Sequence, residues 1–360
     1  MKKTLNIFLL MIIGANFSFS QDPNTSFKSA IDTYFEKLDY EFPAKYKIKT
    51  ITIEQPEPET NRPYIAEKRH FDKTGSPELI EFFDINGGVL HTIRTVPDPI
   101  GKLTTDSTKT DLVYIWSFPD GRMKKMQTLD DHRVIRGTDV YEYDKKNNLI
   151  SQVTTSTLDN YNYKTKYTTK YNRKNLPIEK MTFDSANKVT EKELMTYNKA
   201  GLLLSDILFE SDGKVMTNST QYEYSKENKL LKSSTQLFDN GKPDGAASIS
   251  AYSYDSLGRL IQIDELGGEN DNGIKSFTYD KNGNVLKITN RYPDEDAQEV
   301  EEFEYDKRGL VIKYSSGGVS FGVTTYTYNE KGLMTEMIWE EPTDNDNTIR
   351  HTTRYSFTFW

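Results

Sequence analysis

The chain has 360 residues, with 46 basic against 54 acidic side chains, a formal net charge of −8, 12% aromatic residues and no cysteine. That balance excludes a basic stripe able to displace counterions from nucleic acid or to hold an anionic membrane surface. The missing cysteines exclude disulfides and a lipidated N-terminal cysteine, and the aromatic content is too high for disorder.

Residues 1–20 read as a signal peptide. Met1-Lys2-Lys3 precedes the apolar run Leu5 to Ile13, and cleavage after Ser20 leaves Gln21 first. The expectation is an exported protein (periplasmic, outer-surface-associated or secreted) with no membrane span in the mature chain. Residues 24–40 predict a helix, with Ser26 as N-cap and Phe27, Ile31, Tyr34, Phe35 and Leu38 on one stripe. Such a helix is expected to cover the first turn or edge of a sheet. Strands are expected over Lys45–Glu54, 63–71, 78–83 and 88–96, with Asp84-Ile85-Asn86-Gly87 as a hairpin turn. A loop, Pro97–Thr110, then separates them from strands Leu112–Phe118 and Arg122–Leu129. Residues 21–135 thus read as a helix plus irregular hairpins, and 136–360 as a repeat region, with a boundary near residue 135.

In the repeat region one phrase recurs: aromatic, Asp or Asn, two residues, Gly, one residue, apolar. Its good copies are Tyr254-Asp255 with Gly258 and Leu260, Tyr279-Asp280 with Gly283 and Val285, Tyr305-Asp306 with Gly309 and Val311, and Tyr328-Asn329 with Gly332 and Met334. Degenerate copies begin at Tyr143, Tyr171, Tyr197 and Tyr224, so the anchors fall 23–30 residues apart. Before each turn two rings alternate with a polar residue, as in Tyr252/Tyr254, Phe277/Tyr279, Phe303/Tyr305 and Tyr326/Tyr328; a strand puts both rings on one face. The Asp or Asn can accept a backbone hydrogen bond two residues on, and the Gly supplies positive φ, which together describe a type I turn closed by a Gly bulge. Weaker anchors at Phe183 and Phe209 sit half a period later, so each unit holds two strands. The fold class read from this pattern is all-β: consecutive antiparallel hairpins forming a long, twisted or spiralling sheet, with one N-terminal helix.

These repeats resemble the Tyr-Asp repeats of the RHS/YD-repeat proteins over about residues 141–335. The resemblance implies a strip of antiparallel sheet winding into a spiral or shell, which in some members encloses a C-terminal toxin. Here the last residues, Arg354–Trp360, form another strand with Tyr355, Phe357 and Phe359 on one face. A short member without a toxin domain, built as an open sheet, is therefore the expectation.

Chemistry-bearing patterns are sparse. His70, His91, His132 and His351 are scattered, and no metal-ligand spacing, nucleophile motif or phosphate loop occurs. They are expected to serve in strand pairing or at the surface, with no cofactor. Loops carrying Asp239 and Asp244, Asp271, and Asp294 and Asp296 offer oxygens for a weak calcium site, but none has the spacing of a calcium-binding helix–loop–helix. The leading function is a non-catalytic scaffold or binding module for envelope proteins or glycans. The alternatives are a glycan-active enzyme with N-terminal carboxylates, marked by acids buried in one cleft, and an outer-membrane β-barrel, marked by a lipid-facing apolar band.

Overall fold

The computed structural model describes residues 30–360, apart from 58–59, 61, 99–100, 108–110, 119, 121, 131, 133, 159–160, 211, 268–272, 293–297, 318–321 and 343–347. The signal segment, Ser26 and Phe27 lie outside the described residues. Two short helices, α1 (Ala30–Tyr40) and α2 (Phe42–Tyr46), come first. Then follow β1 (Ile48–Pro56), β2 (Pro63–Phe71), β3 (Pro77–Phe83), β4 (Val89–Asp98), β5 (Gly101–Ser107), β6 (Asp111–Ser117) and β7 (Met123–Asp130). The middle of the chain forms β8 (Ile135–Tyr143), β9 (Leu149–Leu158), β10 (Tyr161–Tyr171), β11 (Pro177–Phe183), β12 (Val189–Tyr197), β13 (Leu203–Glu210), β14 (Val215–Tyr224), β15 (Leu230–Asp239) and β16 (Lys242–Tyr254). The remainder is β17 (Leu260–Leu266), β18 (Gly273–Tyr279), β19 (Val285–Arg291), β20 (Glu299–Tyr305), β21 (Val311–Gly317), β22 (Gly322–Tyr328), β23 (Met334–Pro342) and β24 (Thr348–Phe359).

These strands make one 24-stranded antiparallel sheet in which each strand pairs with the next. The pairing runs unbroken through residue 135, where β7 meets β8 with Thr128 opposite Gly137. β24 also pairs with β1, placing Phe357 opposite Ile51 and Tyr355 opposite Ile53. The first and last strands therefore satisfy each other's backbone groups, the same problem a cap would have solved.

Two expectations change. Lys45 and Tyr46 end a helix rather than start a strand, since Pro43 suits the first turn of Phe42–Tyr46 and Lys47 ends it in the left-handed region. The segment Pro97–Thr110 is no loop but contains β5, hydrogen-bonded to β4 and β6; the Thr-rich 103–108 run carries β propensity that the flanking Pro and Gly masked.

The helices do not cover a sheet edge either. Tyr34, Leu38 and Phe42 are buried with Ile48, Ile51, Phe71, Phe303, Val311, Leu333 and Met334 in one cluster. The Tyr34 hydroxyl donates to the Gly332 carbonyl at 3.3 Å and accepts from the Met334 N–H, tying α1 to the β22/β23 turn. Burying Leu38 to 1% exposure contributes about 2 kcal/mol. A second cluster, Met195, Leu203, Tyr222, Leu230 and Tyr252, continues the core under β12–β16.

Candidate functional site

An antiparallel meander sends alternate connections to opposite rims. Every tyrosine-anchored turn joins an even strand to the following odd one, so all of them lie on one rim, here called the tyrosine rim. This rim is built from self-satisfied polar groups. In the turn after β18, Asp280 Oδ1 accepts the N–H groups of Asn282 and Asn284, each at 2.8 Å, while the Asp280 N–H donates to the Asn284 carbonyl at 2.9 Å. Gly283 holds φ 90°, and in degenerate copies Asn147, Asn175 and Asn228 take the same place at φ 70°, 62° and 65°. Asparagine tolerates this region better than other residues with a Cβ, which is why the consensus could erode without losing the turn. Each anchor hydroxyl then reaches back one repeat. Tyr143, Tyr171, Tyr197 and Tyr224 donate to the carbonyls of Met123, Leu149, Pro177 and Leu203 at 2.8–2.9 Å. Tyr254, Tyr279, Tyr305 and Tyr328 donate to Leu230, Leu260, Val285 and Val311 at 2.9, 2.6, 2.8 and 2.8 Å. Side chains also bridge successive turns, Arg259 to the Asp280 carbonyl and Arg308 to the Asn329 carbonyl. The Arg259 backbone N–H, against an opposing desolvation, and then its guanidinium hold the Asp255 carboxyl below the usual range.

The opposite rim, the loop rim, carries the non-repeating connections. The strand ends flanking Pro56–Arg62, Leu266–Gly273 and Pro293–Glu299 belong to it, whereas Asn240–Ala246 is no loop: only Asn240 and Gly241 turn the chain, and Lys242–Ala246 belong to β16. Asp239 and Asp244 lie at the β15/β16 end there, while Asp271, Asp294 and Asp296 are outside the described residues. Among the described residues no group of three or more His, Asp or Glu converges to hold a metal.

The two faces also differ. The first ring of each pair is buried, with Tyr222, Tyr252, Phe277, Phe303 and Tyr326 at 4–8% exposure; the second rings are half-buried, their hydroxyls spent on the ladder. Leu260 and Val285 pack against the same core. Toward the loop rim this aromatic face turns polar. The registers put Glu67, Asp139, Glu191, Glu193, Asp206, Glu210, Glu265, Glu299, Glu301 and Glu341 on it, with Asp239 and Asp244 at the tip. The basic side chains there are Arg69, Lys180, Lys275 and, at the tip, Lys242. The reverse face is instead laced by cross-strand pairs: Lys232–Glu223 at 3.6 Å, Lys287–Glu302 at 3.0 Å, Lys313–Glu304 at 2.9 Å and Arg354–Glu336 at 3.1 Å. The acidic row escaped sequence reading, although counting back by twos from each buried ring (Phe303 to Glu301 to Glu299, Tyr141 to Asp139) would have found it.

The Teneurin YD-shell family profile matches residues 242–346. Over that stretch, less than a third of the chain, the repeats are of the YD-shell type. No curated protein matches it in sequence. Among solved structures, the crystal structure of TcdB2-TccC3-Cdc42 is similar at 11% identity over 84% of this chain, with a TM-score of 0.34; this chain spans 20% of that one. A porin-like protein from Bacteroides uniformis ATCC 8492 is similar at 10% identity over 86% of this chain and 98% of its own, with a TM-score of 0.28.

Nothing catalytic is assembled on the YD repeats among the described residues. His91 stacks on Phe82 at 4.1 Å and His351 on Trp339 at 5.2 Å. The His132 N–H donates to Asp130 Oδ1. One constellation imitates a catalytic triad: Thr50 Oγ1 lies 3.4 Å from His70 Nδ1, and His70 Nε2 lies 3.0 Å from Glu81. It lies across β1, β2 and β3, where the backbone N–H groups are committed to the ladder on both sides of β2, so no oxyanion donors converge on it. Cross-strand pairing accounts for it.

Proposed function

We propose that this chain is a non-catalytic, exported scaffold that binds an envelope protein or glycan through its loop rim. The segregation of the rims carries this reading. The tyrosine-anchored turns and their hydroxyl ladder occupy one rim, whereas the connections 56–62, 266–273 and 293–299 lie on the other, among hydrogen-bonded turns at Asp84, Asp130 and Asp184, where a rigid sheet can present them without cost to the core. The signal-like residues 1–20 support export. The test is a pull-down of the chain starting at Gln21 against envelope extract and a glycan panel, with the connections 56–62, 266–273 and 293–299 shortened one at a time. Capture that depends on at least one of them is expected. Capture indifferent to all of them, or hydrolysis of a glycan lost on changing one acid, would overturn the reading.

The pairing of β24 with β1 raises the outer-membrane alternative. Lipid would have to face either the aromatic face, whose first rings are buried and whose loop-rim half is acidic, or the reverse face with its lysine–glutamate pairs. Neither offers the apolar band, about 25 Å tall, that a bilayer requires. A glycan-active site in the N-terminal region is disfavoured because Glu67 and Glu81 are engaged by Arg69 and His70.

A further inference from the structure

We infer that the polar half of the aromatic face over β8–β13 docks an extended, lysine- and arginine-bearing segment of a partner protein. The inference rests on the binding reading above but places this contact on the sheet face rather than on the loops.

A straight row of directly opposed residues crosses this sector. Tyr167 faces Thr182, Thr182 faces Glu191, and Glu191 faces Glu210. Like charges directly opposite each other destabilise a sheet, and Glu191 and Glu210 are both exposed. Nothing in the turn or ladder chemistry of the repeats requires them. Beside them Tyr163 and Tyr167 are 57% and 43% exposed on the same face, unlike the buried rings nearer the tyrosine rim. Next to Tyr163, Gly137 takes the place of a side chain on β8 and leaves that ring uncovered on this face; the shallow cavity beside it is also lined by Arg136 and Lys164 and is no part of the docking strip. Strands are spaced about 4.8 Å apart, so Tyr167 and Glu191 stand roughly 10 Å apart, within reach of one arginine stem laid over the ring with its head at the carboxylate.

The charge selects the occupant. An anionic ligand is repelled, a neutral saccharide does not call for opposed carboxylates, and no metal-holding group converges among the described residues. A cationic peptide relieves the Glu191–Glu210 repulsion and stacks on both tyrosines. The reverse face, with its carboxylates matched to lysine and arginine, offers no such surplus.

The experiment measures fluorescence anisotropy of a labelled twelve-residue Lys/Arg/Ser peptide against the chain from Gln21 onward, in low and high salt. A Glu/Ser peptide and a neutral oligosaccharide serve as competitors. Binding of the cationic peptide is expected to weaken tenfold or more with added salt, with Glu191→Gln/Glu210→Gln and with Tyr167→Ser. It should be unchanged in Glu223→Gln/Glu304→Gln, which removes the same charge from the reverse face. The Gln pair should also leave the urea midpoint unchanged or raise it, which separates lost binding from lost fold. Equal weakening by both charge pairs would mean unspecific attraction and overturn the inference, as would preferential, salt-independent competition by the oligosaccharide. Failure of the peptide to bind, with loop-dependent capture in the pull-down intact, would sink this inference and leave the loop rim standing. Peptide binding that survives loop shortening, with no other capture, would support this site and remove the loops from the function.

Discussion

Tyr279→Phe tests the hydroxyl ladder with the smallest possible change. The variant keeps the ring over the β17/β18 sector and deletes the O–H that donates to the Leu260 carbonyl at 2.6 Å. A net intramolecular hydrogen bond is worth about 1 kcal/mol, and the abandoned carbonyl adds a desolvation cost that is moderated here because the ring is only half-buried and water can approach. The expected loss is therefore about 1–1.5 kcal/mol. Tyr279→Ala also removes the ring packing against the main core cluster and should cost about 3 kcal/mol, the low end for an aromatic truncation because the site is not sealed. Urea unfolding, followed by tryptophan fluorescence and far-UV circular dichroism, reads both as midpoint shifts at unchanged slope. Tyr143→Phe, whose hydroxyl donates to the Met123 carbonyl, shares no partner with Tyr279, so combining the two should add to within about 0.5 kcal/mol. A Tyr279→Phe midpoint indistinguishable from that of the parent would refute the argument that the anchor is tyrosine for its hydroxyl. A Phe loss as large as the Ala loss would refute the partition between ring and hydroxyl.

Two other outcomes follow from the same geometry. A Cβ at Gly283 would meet no atom within 4 Å, so Gly283→Val should lose about 1–2 kcal/mol from backbone strain alone and Gly283→Asn well under half of that, whereas at Gly75 a Cβ would fall 2.4 Å from the Ala44 backbone nitrogen, making Gly75→Ala the more damaging change in thermal melts; a Gly75→Ala melt matching that of Gly283→Ala would contradict the α2 contact. Burial pushes Tyr197 and Tyr326 up to about 12 and raises Tyr34, Tyr141 and Tyr328 as well; since the folded values exceed the unfolded one of about 10, this stability is fully present below about pH 10 and is lost as pH rises toward 12. Tyrosinate absorbance should therefore lag and then appear together with loss of circular dichroism, and smooth ionisation with the sheet intact would count against buried rings.

Much of the fold was legible because the repeat states its own local physics. Aspartate, glycine and paired rings dictate a turn and a face, and the strands expected over 63–71 and 78–83 match β2 and β3 closely. The degenerate copies read correctly because Asn147 and Asn228 meet the same φ requirement as glycine. What could not be read is non-local. No feature of Ile51 or Phe357 announces that the two strands pair across some 300 residues. The β5 hairpin carries neither anchor ring nor turn glycine in the consensus place. The acidic row is visible only once register has put Glu191 and Glu210 face to face, since in sequence they are two of many carboxylates.

The pairing of β24 with β1 also has a kinetic meaning. Every other strand finds its partner a few residues away along the chain, so hairpins can form in any order and as soon as they are made. The seam alone must wait for the last strand, and its closure is the one step of high contact order in an otherwise local assembly. Loop-closure entropy grows only slowly with chain length, so that delay costs time more than stability. Until it closes, two unpaired edges coexist with a nearly complete sheet; that interval, rather than any defect of the finished molecule, is when copies of this chain are most exposed to pairing with one another.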